Sequence, residues 1–226
     1  MSNNLHIIAR YKEDLGWVKY LKGSAVIYNK GDEFPYDYPH INIPNIGRET
    51  ETFARGIIEN YNAISDFDYV VFLQGNPFEH CKDLLQLIDL HDTNDYYCMC
   101  DSLVYYYYPK DDIINGIHAS VIARLYRTQI NWEYYLTDDP AKKVNHSIML
   151  ENAMVLCHIL GINPLSQFVF WGHGAQYMVP KEMILNKSLN WWKEFHKLIM
   201  LVYGDLKSEC GYAAEAIWPL IWKHNS

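Results

Sequence analysis

Gln74, Gly75, Asn76 and His80 follow directly on the apolar run Tyr69-Val-Val-Phe-Leu73. Two amides and an imidazole around one glycine can hydrogen-bond a ribose or a phosphate, with Gly75 admitting close backbone approach. Amide oxygens also ligate Mg²⁺ or Mn²⁺, but weakly without a carboxylate, because these hard cations prefer charged oxygens. The same residues equally make an ordinary polar turn between a strand and a helix. In open α/β sheets ligands bind just beyond the carboxyl ends of the strands, which makes this cluster a candidate site.

Three more segments carry chemistry. Arg10-Tyr-Lys-Glu-Asp14 follows the apolar run Leu5–Ala9. It reads as a helix start, with Glu13 and Asp14 near the positive helix end. It also reads as a nucleotide pocket, with Tyr11 stacking a base and Arg10 or a carboxylate fixing its edge. Asn45-Ile-Gly-Arg48 precedes a helical pattern. Gly47 permits a bend, and Arg48 at a helix N-terminus suits a diphosphate, the alternative being a capped loop with a solvated Arg. In Trp171-Gly-His-Gly174, two glycines expose His173 at a sharp bend, or the ring simply packs. Asp101, after the apolar stretch Tyr96–Cys100, and Glu151, in the first turns of a helix, complete the carboxylates.

These groups must be positioned by an alternation of strands and helices. Strands are expected at Leu5–Ala9, Ala25–Tyr28 and 68–73, with helices at 13–21, 49–61 and 79–90. Residues 31–47, with Pro35, Pro39, Pro44 and Gly47, read as a long loop. Further on, strands are expected at 96–100, 103–107, 168–171 and 175–179, and helices at 145–160, 189–203 and 213–222. This is an α/β chain with a mixed, mainly parallel sheet flanked by helices. A single domain is expected, with a nucleotide-binding half over about 1–95 and an acceptor half over about 96–226.

The bulk numbers set the class. A chain of 226 residues buries about 70% of its unfolded surface and needs no disulfide or metal staple. A net charge of −8 argues against nucleic acid, which asks for a basic face. With 19 Tyr among the residues, most are expected in packing, with one or two left as stacking platforms. Cys81, Cys98, Cys100, Cys157 and Cys210 make no CxxC pair and are odd in number, which points to a reducing compartment. The first residues carry no signal-peptide apolar region and no apolar run approaches the length of a membrane span. A cytoplasmic location is expected.

The order of these blocks resembles nucleotide-sugar-dependent glycosyltransferases of the GT-A fold. In that superfamily the first strand runs into a polar nucleotide-holding segment, an N-x-G…R segment precedes a helix, and the next strand ends in a metal-binding Asp-x-Asp. Here the matching segments are Ala9–Asp14, Asn45–Glu49 and Tyr69–Asn76, with Gln74-Gly75-Asn76 standing where Asp-x-Asp is expected. Nearly the whole chain is similar to an uncharacterised family with the pattern ARYxED, W, NxGRE, NY, FLQGNPFxH, GAQ(F/Y)xV. The residues are Ala9–Asp14, Trp17, Asn45–Glu49, Asn60-Tyr61, Phe72–His80, Gly174–Val179 and Glu215–Trp218. Size and character also resemble the glycosyltransferase domain of large chlorella-virus proteins that decorate the capsid, which would place the chain in host cytoplasm.

The resemblance implies a UDP-sugar donor and a glycan or glycoprotein acceptor. It implies donor contacts from Arg10, Tyr11, Glu13, Asn45, Gly47, Arg48, Gln74, Gly75 and Asn76. Asp101 or Glu151 would take the acceptor proton. Asn76, Asp101 and His173 would hold Mn²⁺ or Mg²⁺. Alternatively Arg10, Lys12, Lys30 and Arg48 would neutralise the diphosphate directly. Two other classes stay open: a non-catalytic nucleotide- or sugar-binding module, and a metal-dependent hydrolase using His80, His173 and Asp101.

Overall fold

The structure is a computed structural model that describes residues 2–90, 92, 94–100, 103–106, 156–162, 169–172, 174–205 and 217–224. Its centre is strand β1 (Asn4–Arg10), buried along its whole length. Beside it lie β2 (Ser24–Asn29) and β4 (Tyr69–Gln74), both parallel to it, with the short β3 (His40–Asn42) parallel to β2. β5 (Tyr97–Cys98) and β8 (Tyr177–Pro180) complete a six-stranded sheet of order β3-β2-β1-β4-β8-β5. β6 (Leu103–Tyr106) and β7 (Val169–Gly172) form a separate antiparallel pair.

The expectation of a mainly parallel sheet is corrected. β8 enters between β4 and β5 antiparallel to both, so the sheet is mixed. A hydrophobic pattern does not carry this information, because a strand buried on both faces reads the same in either direction.

The apolar runs split by strand alternation. Leu5, Ile7, Ala9, Val70, Phe72, Tyr177 and Val179 face one core cluster; Ile8, Ile27, Val71, Leu73 and Met178 face the other. Over the first face lie α1 (Arg48–Asn60), α4 (Leu189–Asp205) and the helical residues 217–223; the short α3 (Lys181–Leu185) follows β8. Much of the aromatic content is used there: Trp218 stacks on Trp222 at 4.7 Å, and Phe72, Phe53, Trp192 and Phe195 surround the pair. The second face is covered by Leu15, Trp17, Val18, Cys81 and the helix α2 (Leu84–Leu90).

Three expected elements differ. Residues 13–21 form no α-helix, only a 3₁₀ turn at Val18–Tyr20. The N–H groups of Val18, Tyr20 and Leu21 bond three residues back, to the carbonyls of Leu15, Trp17 and Val18, which is the 3₁₀ pattern and not the α-helical one. The expected helix 79–90 opens with a 3₁₀ turn at Pro77–Glu79 and becomes α-helical only at Leu84. The 31–47 loop contains β3, too short and too exposed to show as a pattern. Of the expected helix 145–160, residues 156–159 are helical, Leu160 is in a turn, and 145–155 lie outside the described residues.

Candidate functional site

The parallel strands β1, β2, β3 and β4 end at Arg10, Asn29, Asn42 and Gln74, along one edge of the sheet. β8 runs the other way, so its first residues come to this same edge, with Tyr177 opposite Phe72 and Cys98. β2 lies on one side of β1 and β4 on the other, so strand order reverses at β1. That reversal opens the crevice in which doubly wound sheets bind ligands. The segments after β1 and β4 and the turn before α1 border this edge, as does Gly174 of the fourth segment.

The segments after β1 and β4 interlock. Glu13 Oε2 accepts the N–H groups of Tyr11 (2.6 Å) and Lys12 (3.0 Å). A Cβ added at Gly75 would lie 2.5 Å from that oxygen and 2.9 Å from Glu13 Cβ and Cδ. Position 75 is therefore a glycine because a carboxylate from the other segment fills the space. Trp17 Nε1 donates to the Gly75 carbonyl at 3.0 Å, and its ring meets Phe78 edge-on. Gln176, fully buried, donates through Nε2 to the carbonyls of Pro77 (3.1 Å) and Met99 (3.4 Å), tying β8 and β5 to the same turn. Gly174 at φ 97° packs on His80, whose ring a Cβ would approach to 2.5 Å.

The basic residues divide into two kinds. Arg10 is 5% exposed. Its Nη1 donates to Asn29 Oδ1 (2.6 Å) and the Glu33 carbonyl (2.8 Å), and its Nε to the Glu13 carbonyl (3.0 Å). Phe34 lies against the guanidinium. Arg10 thus clamps the segments after β1 and β2. Lys30, 8% exposed, donates to the carbonyls of Ile46 and Arg48. Lys12 and Arg48 have exposed side chains; the Lys12 ammonium sits 4.9 Å from the exposed Tyr11 ring, and Arg48 Nε lies 3.5 Å from Glu49 Oε2.

Asn45 and Asn76 are exposed and Gln74 is half-buried. Gly47, at φ 72°, caps α1, and Arg48 follows at φ 48°, a left-handed conformation costly for a side-chain-bearing residue. Beneath this turn is a buried ionic cluster absent from the expected site. Glu51, 2% exposed, meets Lys30 (3.0 Å), Arg55 (2.7 Å) and His196 (3.0 Å). Burial pushes its carboxyl up, but the bonds from His196, Lys30 and Arg55 outweigh that and bring it down to about 2. Within Arg48-Glu-Thr-Glu-Thr52 nothing in the residue types separates Glu51 from an exposed helix start; only its neighbours do.

Asp101, Glu151 and His173 lie outside the described residues. Among the described residues no group of three His, Cys, Asp or Glu gathers to hold a metal. The described carboxylates of the segment after β1 are Glu13, already accepting two backbone N–H groups, and Asp14, accepting the Gly16 N–H and the Tyr36 hydroxyl; the amides of Gln74 and Asn76 lie at the same edge. On the described residues alone, a dication would rest on one or two carboxylates and amide oxygens, with phosphate and water completing its shell. A cleft of about 550 Å³ lined by Asp68, Tyr69, Asp89, Asp92 and Glu182 opens on the opposite edge. Asp68, Asp89 and Asp92 are engaged by Asn3, Lys22 and the Tyr69 hydroxyl, and the cleft lies away from the strand ends that gather the motifs.

Among the described residues no helix is long and apolar enough to cross a membrane. Comparison of the chain with protein-family models, curated proteins and solved structures gives no match in any of the three.

Proposed function

We propose that this chain is a GT-A-type glycosyltransferase that moves a sugar from a nucleotide diphosphate, taken as UDP, to a glycan or glycoprotein acceptor. One observation carries the reading. Three segments separated in sequence, joined by Gly174, border one edge of the sheet at its switch point, and the two that flank the crevice are interlocked through Glu13, Trp17 and Gly75.

In this reading the exposed Tyr11 ring stacks the base and Glu13 fixes the ribose. Arg48 and the N-terminus of α1 meet the diphosphate, stabilising the charge that develops on the leaving group. Gln74 and Asn76 hydrogen-bond the sugar-phosphate. The acceptor enters over the second half of the chain. Its hydroxyl oxygen attacks the anomeric carbon, Asp101 or Glu151 takes the hydroxyl proton, and the bond from sugar to diphosphate breaks, releasing UDP. No step is routed through a dication. The amides in place of Asp-x-Asp favour, as a second reading, a binding module without turnover; sugar transfer and donor hydrolysis separate the two.

Thermal unfolding with UDP, GDP and their sugar conjugates, with and without Mn²⁺, tests this. Ligand at about a hundred times Kd stabilises by about 2.7 kcal/mol, which is about 5–10 °C in a chain of this size. Arg48→Ala should weaken binding about ten- to a hundredfold, the effect of losing a charged hydrogen bond. Absence of any shift at millimolar nucleotide, or unchanged affinity in Arg48→Ala, would overturn the reading.

A further inference from the structure

Lys30 follows β2 directly, beneath the Gly47–Arg48 turn, and its contacts define a task. An ammonium has three N–H donors. Here the carbonyls of Ile46 and Arg48, each at 2.5 Å, take two of them, and Glu51 Oε2 lies 3.0 Å away as an ion pair. Both carbonyls belong to the turn that places Gly47 and Arg48 at positive φ.

A trans peptide points its C=O and N–H in opposite directions. Drawing the Ile46 and Arg48 carbonyls onto a buried cation therefore turns the N–H groups of Gly47 and Glu49 away from it. A left-handed residue other than glycine persists only where its surroundings over-determine it. Lys30 supplies that constraint, and Glu51, tied to Arg55 on α1 and His196 on α4, holds Lys30 in place. A Cβ on Gly47 would collide with that of Glu51, so the turn packs directly on the cluster.

We propose that Lys30 is a positioning residue for Arg48: it fixes the left-handed turn and acts on nucleotide affinity only through it. The effect on affinity rests on the glycosyltransferase reading; the effect on the turn does not.

The test uses Lys30→Met and, because that variant leaves Glu51 short of a counter-charge, the charge-balanced Lys30→Met/Glu51→Gln as a second. The first readout is hydrogen exchange of the amides of Ile46 and position 51, which donate to Pro44 and Gly47, with the Ile57 amide inside α1 as control. Exchange at the two turn amides should rise about tenfold with Ile57 unchanged. The second readout is UDP affinity. It should fall about tenfold, and adding Arg48→Ala should lower it no further than Arg48→Ala alone. Unchanged protection at both turn amides in a folded variant would refute the proposal. So would losses from Lys30→Met and Arg48→Ala that add, since Lys30 would then touch the nucleotide itself. If the wild-type chain binds no UDP, the functional reading falls, and exchange alone decides the role of Lys30.

Discussion

Gly75→Ala probes the interlock that holds the candidate site together. The new Cβ would stand 2.5 Å from Glu13 Oε2 and 2.9 Å from Glu13 Cβ and Cδ, so the Glu13 side chain must leave. Its carboxylate then gives up the N–H groups of Tyr11 and Lys12. Each hydrogen bond to a charged group contributes about 1.5–3 kcal/mol, and water replaces part of it at this half-exposed position. The expected loss is about 2–3 kcal/mol, or about 4–12 °C in Tm for a chain of this length. Urea and thermal unfolding followed by tryptophan fluorescence measure it. In a Glu13→Ala background the oxygen and Cδ are gone and only the Cβ contact remains, so Gly75→Ala should then cost less than about 1 kcal/mol. The double-mutant cycle should show a coupling of about 1–2 kcal/mol. A Gly75→Ala variant within about 0.5 kcal/mol of wild type, or additive losses, would refute the reasoning.

Gly174→Ala should destabilise by about 2–4 kcal/mol in denaturant titration, since φ 97° disfavours any side chain and the Cβ would strike His80. Glu51→Gln should cost about 3 kcal/mol at pH 7 by leaving Lys30 short of its counter-charge. Because Glu51 titrates near 2 when folded and near 4.5 when unfolded, wild-type stability should fall as pH drops through that window. The slope should vanish in the variant, and an unchanged pH profile would remove Glu51 as its source. His6 is fully buried, and burial, opposed by its bond to the Ser24 carbonyl, pushes its pKa down to about 4. The unfolded chain therefore binds the extra proton between about 6.5 and 4. Wild-type stability should decline through that range by about 1.4 kcal/mol per pH unit, and His6→Gln should flatten it. A decline that survives the substitution would show that another group carries it.

Much of the frame was legible in the residues. Leu5–Ala9, Ala25–Tyr28 and 68–73 are strands because continuous apolar runs of that length bury on both faces, and alternation then sends Ile7 and Ile8 to opposite cores. Periodicity found α1 through Phe53 and Ile57. The polar clusters at the strand ends were visible because they interrupt apolar runs abruptly. Periodicity failed at 13–21, where Leu15, Trp17 and Val18 all bury from a segment whose backbone bonds run three residues back and not four.

The sequence by itself determined which residues could do chemistry and that they follow strands. Tertiary structure decided which of them stay exposed and which are buried. Arg10, Lys30, Lys12 and Arg48 are four cations of equal standing in the sequence. In the fold, Arg10 and Lys30 are buried on loop carbonyls while Lys12 and Arg48 are exposed. The reason is that a buried cation must be matched by acceptors, and those acceptors come from segments distant in sequence. The same holds for Gly75: only the approach of Glu13, sixty-odd positions earlier, makes a glycine necessary there.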